Sequence, residues 1–299
     1  MVSNVAPREE RGALGLGVMA LAVCCFTMID TSAKWLILAG LPALQVVFVR
    51  YAGHFIVAMA TFLPREGMSA FRSNAPVRQF LRSFFLFAST VFNFMALKYL
   101  PITVTTTIMF AGPIVVTLLA IPMLGERVGA HRIGAVCVGF VGVLVVMQPW
   151  GTAFQPAMFL SLGGLTMASF YFILTRMLAG VESNATSQLW SSGLAAVCLA
   201  PFAVPLWIWP TAGIDLVTLG MIGVFGALGH IAATSAHRLA DASILAPVVY
   251  IQILLAALSG IFVFDTWPTV WTLAGGLIIA AAGLYIWHRE RYRARLPGR

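Results

Sequence analysis

Apolar residues run through this chain in ten long segments, and short stretches rich in proline, glycine and charged residues separate them. A helix that crosses a lipid bilayer needs about 20 predominantly apolar residues. The pattern therefore predicts an all-α integral membrane protein with ten transmembrane helices. The predicted helices are 12–38, 42–63, 75–98, 103–124, 129–147, 156–177, 187–207, 214–239, 243–264 and 270–288.

The second five segments resemble the first five at an offset of about 140 residues. Ala96-Leu97-Lys98, for example, aligns with Ala236-His237-Arg238. Because each copy has an odd number of spans, the two copies must lie in the membrane in opposite orientations. We therefore predict two inverted five-helix repeats, the first at 12–148 and the second at 156–288.

The composition agrees with this class of protein. Apolar residues make up 60% of the chain and charged residues only 9%, whereas a soluble domain carries about 25% charged residues. With the N-terminus inside, the predicted cytoplasmic segments hold nearly all of the 18 lysines and arginines. This bias predicts that both termini, the segment 1–11 and the basic tail 289–299, are cytoplasmic. It also accounts for the net charge of +8 without nucleic-acid binding.

A local motif recurs in the two halves. Leu124-Gly125-Glu126-Arg127 ends the fourth segment, and Phe264-Asp265 ends the ninth, with aspartate in the place of glutamate. The glycines that follow are Gly134, Gly139 and Gly142 in the fifth segment and Gly275, Gly276 and Gly283 in the tenth. In these features the chain resembles the EamA type of the drug/metabolite transporter superfamily over residues 12–288. The resemblance implies efflux or exchange of small metabolites, with aromatic amino acid exporters as the most similar members.

Three charged residues lie inside the first two segments, where a charged side chain is costly to bury. Asp30 is eleven residues before the predicted outer turn at Leu41, and Arg50 is nine residues after it. At a rise of 1.5 Å per residue, both lie roughly 14–16 Å below that turn. Lys34 follows Asp30 by one helical turn on the same face. We predict that Asp30, Lys34 and Arg50 form a gating or ion-coupling group; the alternative is a salt bridge that only holds the helical hairpin together.

Polar and aromatic side chains inside the segments are the predicted substrate-binding residues. They are Arg50, His54, Asn93, Phe94, Trp190, Tyr250 and Gln252. His54 can gain or lose a proton near neutral pH, which makes proton coupling possible. Aromatic side chains suit a planar ligand through stacking and cation–π contacts. For each residue of this set, the alternative is helix packing or an interhelical hydrogen bond.

Pro113 in the fourth segment and Pro247 in the ninth lie in equivalent helices of the two predicted repeats. A proline inside a helix removes a backbone hydrogen bond and bends or breaks the helix. Broken helices beside a cavity at the middle of the bilayer expose backbone polar groups to a substrate. We predict functional helix breaks at these two prolines, with a harmless kink as the alternative.

These features predict a secondary transporter that alternates access around a cavity at the middle of the bilayer. The chain lacks the phosphate-binding sequence G-x-x-x-x-G-K-[ST], so ATP is not expected as the energy source. His230 and His237 are two helical turns apart without a third ligand, so no metal site is expected, and no cofactor is expected. The expected partners are a small-molecule substrate and the lipid bilayer.

The predicted activity is export or exchange of amino acids, including aromatic ones, across the inner membrane. Three alternatives remain open. An efflux carrier for organic cations would use Asp30 as its buried anion. A passive pore would show flux that does not saturate. A membrane-embedded enzyme would need Asp30, Arg50 and His54 as its acid and base groups, but we expect a protein without enzyme activity.

Overall fold

Helices make up the structure, a computed structural model that describes residues 8–125, 129–152, 154–240 and 242–294. The described residues form no β-strand. The helices are α1 Arg8–Leu38, α2 Ala43–Glu66, α3 Pro76–Leu97, α4 Ile102–Met109, α5 Gly112–Leu124, α6 Ala130–Met147, α7 Met158–Met177, α8 Asn184–Ala203, α9 Gly213–Leu239, α10 Ala242–Val249, α11 Ile251–Phe264 and α12 Val270–Ala294, with a 3-10 turn at Gly67–Phe71. Glu126, Arg127 and the ends of both predicted terminal segments lie outside the described residues.

Two of the predicted segments are each divided into two helices. The fourth segment is α4 followed by α5, with Phe110 and Ala111 between them, and Pro113 is the second residue of α5. The ninth is α10 followed by α11, with Tyr250 between them, and Pro247 lies inside α10. The two interruptions, at 110 and 250, are 140 residues apart, which is the offset between the two halves of the sequence.

The protein is a multi-pass membrane protein. Within the described residues, eight helical segments are long and apolar enough to cross a membrane. They are Ala13–Leu38, Ala43–Phe71, Pro76–Leu97, Ile102–Leu124, Met158–Met177, Gly213–Leu239, Pro247–Phe264 and Val270–Arg289. The apolar part of α6, Ile133–Met147, is shorter, and α8 is not among the eight. For these two helices the prediction of ten spans continues to rest on the sequence pattern.

The helices of the first half of the chain pack mainly on helices of the second half. Helix α1 packs on α9 and α3 packs on α7, while α2 lies against both α8 and α9. Helix α6 packs on α12, and α4 on α11. Under exchange of each helix with its counterpart in the other half, α1·α9 becomes α7·α3 and α2·α9 becomes α8·α3, and both of these contacts are also present. The two inverted repeats remain a prediction from the sequence.

The crossing of α2 and α9 is unusually close. A Cβ atom at Gly53 would lie 2.9 Å from the Cα of Gly223, and a Cβ at Gly223 would lie 2.6 Å from the Cα of Gly53. Small residues allow helix backbones to approach in this way in membranes. The crossing places Arg50 and His54, which lie just before and just after Gly53 on α2, against the second half of the molecule.

Candidate functional site

Two polar side chains of α2 are buried one helical turn apart. Arg50 is only 5% exposed and His54 only 1%. The Arg50 Nη2 lies 3.4 Å from His230 Nε2 on α9, and its guanidinium carbon lies 4.4 Å from the ring centroid of Tyr51. Arg50 Nε and Nη1 are buried and have no hydrogen-bond partner among the described residues. Two of the three nitrogens of this buried guanidinium are therefore unpaired within the described part of the chain.

His54 connects α2 to both helices of the second half that α2 touches. Its Nε2 lies 3.1 Å from Gln188 Oε1 on α8. Its ring stacks on that of His230, with centroids 5.5 Å apart and an interplanar angle of 14°. The other ring nitrogen, His54 Nδ1, is buried and unpartnered within the described part of the chain.

Asp30 on α1 is hydrogen-bonded to α3. Asn93 Nδ2 donates to Asp30 Oδ1 at 3.1 Å, while Asn93 Oδ1 is buried without a partner in the described ranges. The predicted direct pair between Asp30 and Arg50 is not formed among these residues, although the two charges lie within electrostatic reach of each other. The carboxylate instead binds the Asn93 amide, which belongs to a third helix. We refer to Asp30, Arg50, His54, Asn93, Gln188 and His230 as the central polar cluster.

Lys34 lies outside the central polar cluster. Its Nζ donates to the carbonyl oxygens of Leu97 at 3.0 Å and Leu100 at 2.6 Å, and it lies 5.6 Å from the ring centroid of Phe264. Leu97 is the last residue of α3, where unpaired carbonyls give the helix end a partial negative charge. Lys34 thus joins α1 to the end of α3 rather than extending the group around Asp30.

Tyr250 lies at the interruption between α10 and α11, and it contacts the interruption between α4 and α5 in the first half of the chain. Its ring lies 5.5 Å from that of Phe110, the residue that follows α4. The Tyr250 hydroxyl packs against Gly283 of α12, where a Cβ would overlap it. An aromatic pair therefore spans the two helix breaks. Gln252, two residues further along, is half-buried on α11.

Phe94 and Trp190, two further predicted substrate-binding residues, pack against other parts of the protein. Phe94 is 1% exposed and belongs to an apolar core that includes Leu36 and Leu97. Trp190 donates from Nε1 to the carbonyl of Phe71 at 2.9 Å, so it holds the 3-10 turn after α2 against α8. These contacts place Phe94 and Trp190 in helix packing, and neither has a contact with the central polar cluster among the described hydrogen bonds and ring pairs.

Arg82 is a buried residue whose role the sequence did not reveal. It is 6% exposed and bridges α3 to α7 and α8. Its nitrogens donate to Thr175 Oγ1 at 2.8 Å, Ser187 O at 3.3 Å, Ser191 Oγ at 2.9 Å and Tyr171 OH at 3.2 Å. From the distribution of positive charges in the sequence, Arg82 was assigned to the cytoplasmic side with most of the other cations. The serines and threonines spaced along α7 and α8 were the available signal of a buried partner.

The central polar cluster brings together charged and hydrogen-bonding groups from five helices. The described residues contain no group of three or more histidine, cysteine, aspartate or glutamate side chains placed to hold a metal ion. The cluster combines a carboxylate with a guanidinium and an imidazole whose Arg50 Nε, Arg50 Nη1 and His54 Nδ1 atoms have no partner in the described ranges. Its members come from α1, α2 and α3 of the first half and from α8 and α9 of the second.

Known proteins resemble this chain over nearly its whole length. Residues 13–148 match the EamA-like transporter family. A riboflavin transporter of Rhizobium johnstonii is 27% identical over 99% of this chain and 98% of its own. An S-adenosylmethionine uptake transporter of Rickettsia bellii is 27% identical over 93% of this chain and 94% of its own. A riboflavin transporter of Vibrio cholerae is also 27% identical, covering 95% of both chains.

A solved crystal structure shares the fold. It aligns with a TM-score of 0.62 at 19% identity and covers 93% of this chain and 98% of its own. The matched family and the relatives are transporters rather than enzymes, which confirms the expectation that this chain is not an enzyme. The family match in the first half and the relatives that span both halves show that this chain is similar to membrane transporters of the EamA-like type.

Proposed function

We propose that the protein carries a small metabolite across the inner membrane by alternating access, and that the central polar cluster binds the substrate. One observation carries this proposal. The Arg50 guanidinium is buried between the two halves, yet its Nε and Nη1 have no partner among the described residues. A binding site that closes around a substrate and opens to either side belongs at the junction of the two halves.

The energetics favour a ligand at this position. A buried polar group without a hydrogen bond costs about 1–3 kcal/mol, and more when it is charged. The cluster holds four such atoms: two on Arg50, one on His54 and one on Asn93. Leaving these four atoms unpaired lowers the stability of the folded protein, so their presence indicates a role other than stability. A polar substrate that pairs with them would offset the cost each time it binds.

The charges indicate the kind of substrate. Arg50 offers N–H donors that match a carboxylate, and Asp30 lies within electrostatic reach as a partner for an ammonium group. An α-amino acid carries both groups on one carbon. Aromatic amino acids and S-adenosylmethionine share this zwitterionic head, and the latter is the substrate for which the Rickettsia relative is named. We therefore infer a ring-bearing metabolite with an amino acid head.

The aromatic pair Phe110 and Tyr250 fits the ring of such a substrate. It lies where α4 and α10 end, at the interruptions of the two divided segments. The relatives are named for riboflavin and S-adenosylmethionine rather than for aromatic amino acids. Phenylalanine export is accordingly one member of the proposed class. A carrier of this kind moves its substrate in the direction that the prevailing gradient sets.

Riboflavin is the second candidate because two of the relatives described above are named for it. It has a flat ring system but no zwitterionic head. It would use the aromatic pair and the hydrogen-bonding atoms of the cluster, and leave the two opposite charges without ionic partners. An organic cation would pair with Asp30, but Arg50 in the same cluster opposes it.

Uptake into proteoliposomes tests these choices. The purified protein is reconstituted and given labelled phenylalanine, S-adenosylmethionine, riboflavin or tetraethylammonium, with protein-free liposomes as the control. We expect saturable uptake of a zwitterion that is accelerated by unlabelled zwitterion trapped inside. Saturable uptake of riboflavin or tetraethylammonium alone would refute the amino acid head. Flux that neither saturates nor exchanges would show a pore.

A further inference from the structure

We propose that His54 is a specificity-determining residue that accepts a hydrogen bond from the ammonium group of the substrate, and that Gln188 positions it for this role. The inference rests on the proposed function, since it assumes a substrate with an amino acid head. It adds a selection rule: the site should distinguish an amino acid from the corresponding acid without the amino group.

The hydrogen-bond chain on α8 fixes the state of His54. Gln188 Nε2 donates to Asn184 Oδ1 at 3.3 Å, so the Gln188 oxygen is the atom that faces His54. That oxygen lies 3.1 Å from His54 Nε2 and can only accept. The proton of a neutral imidazole is therefore on Nε2. The lone pair is on Nδ1, which is the buried atom without a partner in the described structure.

The neighbouring imidazole is held in the complementary state. A guanidinium has donors only, so His230 Nε2 accepts from Arg50 Nη2 and its ring proton is on Nδ1. The two imidazoles stack at 5.5 Å beside the Arg50 cation. A positive charge on either ring would face another cation, because the flanking groups on α2 and α9 are Arg50 and the second histidine. The geometry is that of two neutral rings.

The free atoms of Arg50 and His54 match one amino acid head. The two residues are four apart on α2, so their Cβ atoms are about 5–6 Å apart on one helix face. Arg50 Nε and Nη1 supply donors for a carboxylate, and His54 Nδ1 supplies an acceptor for an N–H group. The carboxylate and ammonium groups of an α-amino acid are attached to one carbon. A single substrate head can therefore pair with both residues.

Two substitutions of His54 separate its two nitrogens. Asparagine places its amide near the position of Nδ1, whereas glutamine places it near the position of Nε2. His54→Asn should keep an acceptor for the substrate, and His54→Gln should keep the bond to Gln188 but lose that acceptor. We measure inhibition of labelled amino acid uptake by phenylalanine and by 3-phenylpropionate, which lacks the amino group.

For His54→Gln we expect the preference for phenylalanine over 3-phenylpropionate to fall about 10- to 100-fold, because a hydrogen bond to a charged group is lost. The affinity for 3-phenylpropionate should stay unchanged. His54→Asn should retain most of the preference. An equal preference in the wild type and in His54→Gln would overturn the inference, and so would a loss confined to His54→Asn.

Substitutions of Gln188 test whether it holds the His54 ring in the orientation that binds the substrate. Gln188→Glu retains an oxygen that accepts from His54 Nε2, whereas Gln188→Leu removes it. We expect Gln188→Leu to raise the KM for phenylalanine with little change in maximal rate, and Gln188→Glu to restore the wild-type KM. Equal KM values in both variants would show that Gln188 has no positioning role.

The outcomes separate this inference from the proposed function. If the wild type transports no zwitterion, the proposed function fails before any variant is compared. If the wild type transports a zwitterion and His54→Gln leaves the preference intact, only the role of His54 fails.

Discussion

Two arginines are buried to the same extent in this protein, but their surroundings differ. Arg50 is 5% exposed and Arg82 is 6% exposed. Each nitrogen of the Arg82 guanidinium donates a hydrogen bond, to side chains and a carbonyl of α7 and α8. Arg50 makes one long contact with an imidazole and keeps Nε and Nη1 unpartnered among the described residues.

The difference indicates what each arginine is for. A buried charge whose donors are all satisfied fixes the arrangement of the helices around it. A buried charge with free donors adds little to the stability of the folded protein and is available to a ligand. Arg82 thus holds α3 to α7 and α8, at the end of the bundle that the sequence predicts to be cytoplasmic. Arg50 is the residue that we propose binds the substrate.

The largest effect is expected at Arg50. Arg50→Gln removes the charge and the donors that bind the substrate carboxylate. Since hydrogen bonds to charged groups contribute about 1.5–3 kcal/mol each, two of them correspond to a loss of transport of about 100-fold or more. Arg50→Lys should recover part of the transport, because lysine keeps the positive charge but lacks the paired N–H donors of the guanidinium. The measurement is zwitterion uptake at equal protein density.

The same Arg50→Gln protein should unfold at the temperature of the wild type, within a few degrees, because Arg50 has few hydrogen-bond partners among the described residues. A large drop in thermal stability together with normal transport would reverse the roles of the two arginines.

Arg82→Met should act mainly on stability. The substitution leaves four acceptors on α7 and α8 without their donor. Hydrogen bonds between membrane helices average about 0.6 kcal/mol and reach about 1.7, so we expect a loss of about 2–4 kcal/mol in unfolding by denaturing detergent. The folded fraction should still transport within a factor of a few. Abolished transport at wild-type stability would place Arg82 on the substrate path instead.

The sequence predicted the helices better than it predicted the roles of the buried charges. Lipid requires long apolar helices, so the helical segments could be read from the sequence, and the segments that contain Pro113 and Pro247 are each divided into two helices. The sequence did not reveal the packing role of Arg82, because a cation near the end of a span has the same sequence pattern whether it faces water or packs inside. Its burial depends on α7 and α8, which are distant in sequence.

The sequence predicted some residues of the central polar cluster but not the contacts between them. Asp30, Arg50 and His54 stood out because charge inside a span is costly. Their actual contacts needed the tertiary structure: Asn93 comes from α3 to bind Asp30, and His230 comes from α9 to bind Arg50. The spacing of Asp30 and Arg50 along the hairpin gave their similar depth but not the helix that meets each of them.

A glycine on α9 provides a finer test of the Arg50 surroundings. Gly223→Ala introduces a Cβ that would lie 2.6 Å from the Cα of Gly53, so α2 and α9 must separate. Overpacking of this kind costs about 1–3 kcal/mol. It should also move His230 away from Arg50 and lower transport several-fold. Gly220→Ala is the matched control, since its Cβ meets nothing within 4 Å. If both substitutions have the same effect, the close crossing is not needed to shape the site.

The smallest effect is expected at Gln79, one turn before Arg82 on α3. Its side chain is fully buried, and both its amide atoms lack partners among the described residues, as at Arg50. Unlike Arg50 it carries no charge and lies beside the satisfied contacts of Arg82. Because replacing an unpaired buried amide with an apolar side chain removes a desolvation cost, Gln79→Leu should stabilise the protein by about 1 kcal/mol and leave the KM unchanged. A raised KM with normal stability would instead assign Gln79 to the substrate path, and unpartnered polar atoms would then mark the route of the substrate beyond the central polar cluster.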